Sequence, residues 1–499
     1  MPNEIELKLR IAKEDIPRLR RHPTIRRHLM QKAVTRRLVS TYYDTSDLQL
    51  LDKRVSLRVR RMSGGWFQAV KAAGHSLAGL HQRLEWEDII AKGEPDYTKI
   101  TDPSLTPIFD DLILRRALKP IFTTDMRRTE WQLNYQDSHI ELSLDDGLLI
   151  AGDHQQPLIE IELELKQGEV EHLFTLALEL QADIPLSIEN VSKAQRGYAR
   201  YRDFPQQVSK AKPAGITPND QPDEAFEKAG WECLRQLQSN QPLAMQGTDP
   251  EGVHQMRVAL RRLKIVLKTF GMLHADIHEE LDWLGDLLAK PRDLDVFLYE
   301  MLPGMKLSKD DLARIQPQVA NARKRAYSMF RNGLKQPRYQ RLLLILGHLF
   351  ASGLPANQAD LTHIASRQLQ SLHKKLLKQG KQLASLSIDE KHRLRGRVRQ
   401  LRYALEFFSP LYLDKKHAGK KTEKQATTLL AALHALQDSL GMLNDIAIAG
   451  QRLHHMSQRN PALHTIRLDW EKAATKQEKR CLNDLPTSWK ALKQATVFW

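Results

Sequence analysis

Between residues 204 and 222 the hydrophobic period of this 499-residue chain changes, and that change constrains the fold more than any other feature. Upstream, short segments at 38–43, 55–60, 66–71, 84–90, 129–135, 139–144 and 158–165 alternate apolar and polar residues, the period of a half-buried strand. Helical pieces are confined to about 169–181 and 192–201. Downstream, apolar residues recur every three to four positions over long stretches with almost no β signal, as in a helical bundle. In between, Pro205, Pro213, Gly215, Pro218 and Pro222 stand without any hydrophobic period, a linker composition. A chain this long exceeds one compact core. The expected organisation is an α+β domain at 1–203, a Pro-rich linker at 204–222 and an all-α domain at 223–499.

Charge divides at the same place. Residues 1–203 carry 30 Lys and Arg against 31 Asp and Glu, whereas residues 204–499 carry 46 against 29, a net of +17. The second half therefore attracts polyanions, although the field alone does not choose among nucleic acid, polyphosphate and an anionic surface. Two cysteines, Cys233 and Cys481, are too few for a disulfide framework or a cysteine-rich zinc site and are expected to be reduced packing residues. No apolar run approaches the ~18 residues that span a bilayer, and the first residues do not form a signal-peptide core, so a cytoplasmic protein without a membrane partner is expected.

The opening stretch Glu4-Ile5-Glu6-Leu7-Lys8 places Glu4, Glu6 and Lys8 on one strand face and Ile5, Leu7 and Leu9 on the other. Two carboxylates one pleat apart suit a divalent cation, and the lysine beyond them suits phosphate. An edge strand with a solvated face would read the same way. The pattern recurs, however: Arg58 with Arg60, Arg83 with Glu85 and Glu87, and Glu160 with Glu162 and Glu164 each share a face, opposite Leu57 and Val59 or Ile161, Leu163 and Leu165. In a closed barrel these charged faces point either all outward or all inward, and inward they make a polar tunnel for a highly charged small ligand. Periodicity does not decide which.

These motifs, with Tyr42-Tyr43-Asp44-Thr45, Val70-Lys71, Arg128-Thr129-Glu130-Trp131, Asp145 and Ser192-Lys193, resemble in their order the CYTH family, the triphosphate tunnel metalloenzymes. The resemblance covers about residues 1–203 and implies an antiparallel β-barrel whose tunnel carboxylates hold Mg²⁺ or Mn²⁺. It implies Glu4, Glu6, Glu85, Glu87, Glu162 and Glu164 as metal-side carboxylates, and Lys8, Arg58, Arg60, Lys71, Arg83, Arg128 and Lys193 as phosphate grips. Glu4, Glu6 and Lys8 are the expected catalytic cluster. Arg127 and Arg128 lie on opposite faces of one strand, and the family spacing favours Arg128 as the inward one. Triphosphate repels an attacking water, and arginine forks with bridging metal offset that charge without a protein nucleophile. There is no GxxxxGK[ST] phosphate loop, which argues against a P-loop NTPase.

The second half contains a repeat. Val253-His254-Gln255-Met256-Arg257 through Arg261 and Lys264 aligns without a gap on Lys391-His392-Arg393-Leu394-Arg395 through Arg399 and Arg402. At 100° per residue, His254, Arg257, Arg261 and Lys264 form one stripe, and His392, Arg395, Arg399 and Arg402 form its counterpart. A basic helix face is ordinarily a solvated one, but these stripes are narrow, flanked by leucines, and begin each time with a histidine. Two such helices face to face would line an anion site. The repeat, Arg292-Asp293-Leu294-Asp295, Leu443-Asn444-Asp445 and the terminal Phe498-Trp499 resemble the CHAD domain, which implies inorganic polyphosphate as ligand. Nucleic acid is disfavoured because the stripes lack interleaved aromatics for base stacking.

The expected function is a metal-dependent inorganic triphosphatase hydrolysing tripolyphosphate to pyrophosphate and phosphate, joined to a polyphosphate-binding helical domain. The alternatives are a class IV-type adenylate cyclase or a thiamine triphosphatase on the same fold, and a non-catalytic polyphosphate-binding scaffold.

Overall fold

The strands of the first half form one antiparallel sheet that closes on itself. In the computed structural model, which describes residues 3–62, 64–72, 74–304, 307–355, 359–413 and 419–499, these strands are β1 (Asn3–Arg10), β2 (Val34–Asp44), β3 (Ser56–Met62), β4 (Gly65–Lys71), β5 (His75–Leu77), β6 (Leu80–Ile90), β7 (Lys119–Tyr135), β8 (Ser138–Ala151), β9 (His154–Gln167) and β10 (Ser187–Ile188). Their order is β10-β1-β9-β8-β7-β2-β3-β4-β6-β5, and β1 also pairs with β6, so that eight strands form a barrel. Every strand expected from alternation is present. β5 and β10 were not legible, being too short to show a period.

Turn chemistry sets the register. β7 and β8 are joined by Gln136 and Asp137, both at positive φ, the conformation that a two-residue hairpin with the sheet's own twist requires. That turn fixes Arg128 opposite Asp145, and the next hairpin fixes Asp145 opposite Glu160. The apolar strand faces point outward and are covered. Leu57, Val59 and Val70 pack in one cluster with Leu105, Phe109 and Leu114 from the segment after β6. The helix Glu171–Asp183 lies against β1 and β9, with Leu173, Phe174, Leu176, Ala177 and Leu180 buried.

The chain divides into two compact units: residues 1–205 with 336–352, and residues 206–335 with 353–499. The helix Pro337–Ser352 thus belongs to the barrel unit although it lies far along the helical half, a placement absent from the expected 223–499 division. It packs on the helix Glu171–Asp183 and beside β10, where the Ile188 amide donates to Gln340 Oε1 at 3.0 Å. The Pro-rich stretch is also more ordered than a linker composition implies. Ser209 N donates to Asn240 Oδ1 at 3.0 Å, Asn240 Nδ2 donates back to Ser209 O at 2.7 Å, and Ile216 is buried, so side chains of the helix Pro222–Gln246 pin the extended segment.

Within the second unit the long helices are Pro222–Gln246, Pro250–Thr269, Ala275–Asp295, Lys309–Lys335, Leu361–Gln379, Ile388–Phe408, Lys420–Arg459 and His464–Gln494. Cys233 and Cys481 are free and buried, as expected of packing residues. No helix among the described residues is long and apolar enough to cross a membrane.

Gly347 tests the docking of Pro337–Ser352. A Cβ there would stand 2.3 Å from the fully buried ring of Phe174. Gly347→Ala is expected to destabilise the barrel unit by about 1–3 kcal/mol, the cost of overpacking, measured by urea denaturation. An unchanged midpoint would show that this helix does not seat on Phe174.

Candidate active site

The charged strand faces point inward. A cavity of about 550 Å³ runs through the barrel, and all thirteen tunnel residues expected from the sequence line it: Glu4, Glu6 and Lys8 from β1; Arg58 and Arg60 from β3; Lys71 from β4; Arg83, Glu85 and Glu87 from β6; Arg128 from β7; Glu162 and Glu164 from β9; and Lys193 from the helix Lys193–Tyr198. Arg128 faces in and Arg127 is exposed, as the spacing indicated. Tyr42, Arg36, Glu130, Glu141 and Lys166 also line the cavity. None of the five was assigned to the tunnel from the sequence, although Tyr42 and Glu130 stand within the motifs quoted above and parity with Arg128, Glu162 and Glu164 in the paired strands points to the charged four.

Acids and bases in this lining meet as pairs. Lys71 Nζ donates to Glu4 at 2.8–2.9 Å and lies 2.7 Å from Glu85 Oε2, and Arg83 Nε donates to Glu4 Oε2 at 2.8 Å. Lys8 is 2.9 Å from Glu6 Oε2 and also bonds Glu162. Arg128 grips Asp145 with a two-pronged fork at 2.6–2.7 Å and reaches Glu162 as well. Below them Lys193 Nζ sits among Asp145 at 2.8 Å, Glu162 at 2.8 Å and Glu160. Lys193 is held at the start of its helix by a capping box between Ser192 and Gln195, so the approach of its side chain is fixed by backbone.

These pairs determine charge states. Burial alone would raise the Glu4 and Glu162 carboxyls, but Lys71 and Arg83 around the first, and Lys193, Lys8 and Arg128 around the second, outweigh it and hold both well below the usual carboxylate range. Burial likewise disfavours charge on Lys8 and Lys193, and their carboxylate partners reverse it, raising both. Arg60 differs. It donates to Ser40 Oγ at 3.0 Å, has no carboxylate within ion-pair distance among the described residues, and is lowered to about 10 by burial together with Arg58 and Arg128. Two buried atoms, Arg58 Nε and Glu160 Oε2, have no hydrogen-bond partner. His81, at one end of the inward face, is pushed down to about 3 by burial and by Lys8, and spans Ser76 Oγ and the Glu189 carbonyl.

The donor set fits a hard divalent cation, since every anionic group is a carboxylate and no thiol intervenes. Oxygens of Asp145, Glu160 and Glu162 lie within 4.8 Å of one another. Lys193 Nζ lies among that trio, and Lys71 and Arg83 lie in the same way among Glu4, Glu6 and Glu85.

In the helical unit the two stripes come together at their centres. Burial and neighbouring cations depress Arg257 to about 10 and Arg399 to about 9, with Arg261 and Arg395 acting on both, so that Arg395 reaches Arg257 and Arg261 reaches Arg399 across the repeat. Arg257 lies 3.9 Å from Asp293 and Arg395 lies 3.9 Å from Asp445, matching loose contacts in the two copies. The ends of the stripes differ, for Lys264 pairs with Asp282, and Arg402 with Glu406 and Gln437. His392 Nδ1 is 2.6 Å from Asn444 Oδ1, whereas His254 is pushed down to about 4 by burial and the cations Arg292, Arg261 and Arg257. The terminal Trp499 donates to Gln370 Oε1 at 3.3 Å.

Comparison with known proteins finds two domains. The CYTH domain matches residues 2–198 and the CHAD domain matches residues 228–454. An inorganic triphosphatase of Haemophilus influenzae is 36% identical over 202 residues, which are 40% of this chain and 55% of that protein, so the chain spans about half the length of this curated relative. The crystal structure of the CHAD domain from the plant Ricinus communis is 29% identical, with a TM-score of 0.53, covering 58% of this chain and 98% of that one.

The fork of Arg128 tests the tunnel's charge balance. Arg128→Ala leaves Asp145 and Glu162 short of a buried cation and is expected to cost about 3–5 kcal/mol, whereas Arg127→Ala should stay within about 0.5 kcal/mol of wild type. Thermal unfolding of both variants measures the difference. Equal effects would mean that the two arginines had been assigned to the wrong faces.

Proposed function

For a chain that carries a CYTH domain followed by a CHAD domain, we propose a metal-dependent inorganic triphosphatase that cleaves tripolyphosphate to pyrophosphate and phosphate, with a helical domain that binds inorganic polyphosphate. The observation that carries the reading is the pairing inside the tunnel. The cations that would grip phosphate are bonded to the carboxylates that would hold metal. A triphosphate entering the tunnel draws Lys8, Arg58, Lys71, Arg83, Arg128 and Lys193 onto its oxygens, and this frees Glu4, Glu6, Glu85, Glu87 and Glu162, whereas Glu164, the sixth proposed metal ligand, is paired with Lys166. Arg60, without a carboxylate to leave, is the first contact.

Mg²⁺ or Mn²⁺ held by the freed carboxylates supplies charge that offsets the phosphate oxygens and lowers the pKa of a bound water. The chain's own part is positional. Strand pairing fixes Lys8 opposite Glu162 and Lys71 opposite Glu85, so the phosphates are held in a preset line while the buried wall excludes bulk water. Among the described residues the lining contains neither tryptophan nor phenylalanine, so Tyr42 is the one aromatic ring there for a nucleotide base to stack on. This favours an inorganic substrate.

Glu4→Gln or Glu6→Gln is therefore expected to lower kcat by more than ~100-fold, and chelation should abolish turnover of wild type. Tripolyphosphate should show a higher kcat/KM than ATP or thiamine triphosphate under the same metal. Cyclic AMP among the products from ATP would replace this reading with a cyclase, and full activity in either variant would remove the metal assignment.

In the helical unit, Arg257, Arg261, Arg395 and Arg399 are proposed as the core of the polyphosphate site, with His254 and His392 beside them. Lys264 and Arg402 contribute less, because acidic neighbours already meet their charge. Arg257→Ala and Arg395→Ala should each weaken polyphosphate binding, and wild-type affinity should fall steeply with salt. Affinity measured by fluorescence anisotropy at low and moderate salt checks both, and binding unchanged in the two variants would reduce the stripes to solvated helix faces.

A further inference from the structure

Tyr42 stands where the charged tunnel meets an apolar floor. Its ring is buried in a cluster with Leu48, Phe122, Leu149, Ala151 and Tyr198, and it stacks on Phe122 with 4.5 Å between centroids and 17° between planes. The same residue lines the cavity. Strand pairing sets it directly opposite Arg58, and Arg60 one pleat further on is opposite Ser40, so Tyr42, Arg58 and Arg60 share the inward face. A tyrosine at such a boundary buries its ring and turns its hydroxyl to the polar side.

That hydroxyl is an exception in a lining built from pairs. It makes no hydrogen bond among the described residues, and it is not one of the unpartnered atoms that are shielded from solvent. Its diagonal neighbour Arg60 holds only the Ser40 hydroxyl. The charges that act on the phenol most are all cations, Arg58, Arg60, Lys193 and Lys71, and together they outweigh its burial and pull it below its ordinary value. A free donor surrounded by cations is set to meet an anionic oxygen. Unlike Lys8, Lys71 or Arg128, it has no carboxylate to leave before it does so.

We propose that Tyr42 contacts the substrate, its hydroxyl donating to the terminal phosphate at the floor of the tunnel beside Arg60. The inference rests on the triphosphate reading and narrows its substrate class. The apolar cluster beneath Tyr42 offers nothing to a further polar group, so the phosphate held there is a chain end, and the substrate is a phosphate chain with one free terminus that enters first.

Tyr42→Phe keeps the ring and removes only the oxygen. In the full-length protein with Mg²⁺ or Mn²⁺ it is expected to lower kcat/KM for tripolyphosphate by about tenfold or more, the effect of one hydrogen bond to a charged group, with the thermal midpoint unchanged. Hydrogen exchange in excess chelator, where turnover stops, reads binding at 34–44 and 56–62 apart from the helical unit. The tripolyphosphate concentration for half-protection of those segments should rise by a similar factor. If both side chains hold one phosphate, the effects of Tyr42→Phe and Arg60→Gln should fall short of additive in the double variant. Wild-type turnover with kcat/KM and half-protection both unchanged in Tyr42→Phe would overturn this inference alone and reduce Tyr42 to packing, and additive effects would overturn the shared phosphate. Wild-type protection without turnover would overturn the triphosphatase reading, with Tyr42 still decided by the exchange measurement. Neither protection nor turnover in wild type would overturn both.

Discussion

Burying charge is what this barrel must solve before anything else. The Lys193 ammonium, in contact with Asp145, Glu160 and Glu162, is the clearest instance: each of the four is nearly inaccessible to water, and none is tolerable there without the others. Closure of β1 on β6 follows from the same demand, because an open sheet would leave Glu4 and Glu6 facing Arg83 across a gap instead of bonded to it. The outward apolar faces, the helix on β1 and β9, and the cluster around Phe109 are then the wrapping that an inside-out charge distribution requires.

The two halves manage charge in opposite ways. In the tunnel, opposite charges sit at bonding distance, and under the proposed function a ligand enters by exchanging partners. In the stripes, Arg257, Arg261, Arg395 and Arg399 crowd together with carboxylates no nearer than 3.9 Å, and the cost of that repulsion is visible in the depressed arginines. A site of the first kind is selective for shape, since every displaced pair must be remade. A site of the second kind would have its repulsion relieved by any polyanion that touches both helices.

Much of this was legible in the sequence, for reasons that also define where it stopped. Strand parity grouped Glu4 with Glu6 and Lys8, and Arg58 with Arg60, because the two-residue period survives any packing. Parity did not decide between inward and outward, since Leu57 and Val59 would fill a core as readily as they cover a barrel. Family order supplied that choice. Arg36 escaped because it is a single charged residue on its strand and only the pairing register with Arg128 brings it to the cavity, whereas Glu130, Glu141 and Lys166 share parity with Arg128, Asp145 and Glu164 and could have been read from it. The helix Pro337–Ser352 escaped for another reason: its 3.6-residue period is the same whether the apolar face meets a bundle or the back of a barrel.

That helix also bears on how the protein is made. A ribosome releases all ten strands of the sheet long before residues 336–352, so the apolar surface around Phe174 leaves the tunnel of the ribosome without its cover. The first unit therefore cannot complete itself in order of synthesis, and must wait for a stretch that follows more than a hundred residues of the second unit. A gene cut at the Pro-rich stretch would separate the barrel from one of its own helices. The two domains are thereby bound to a shared inheritance by topology, independently of any benefit from acting on related ligands.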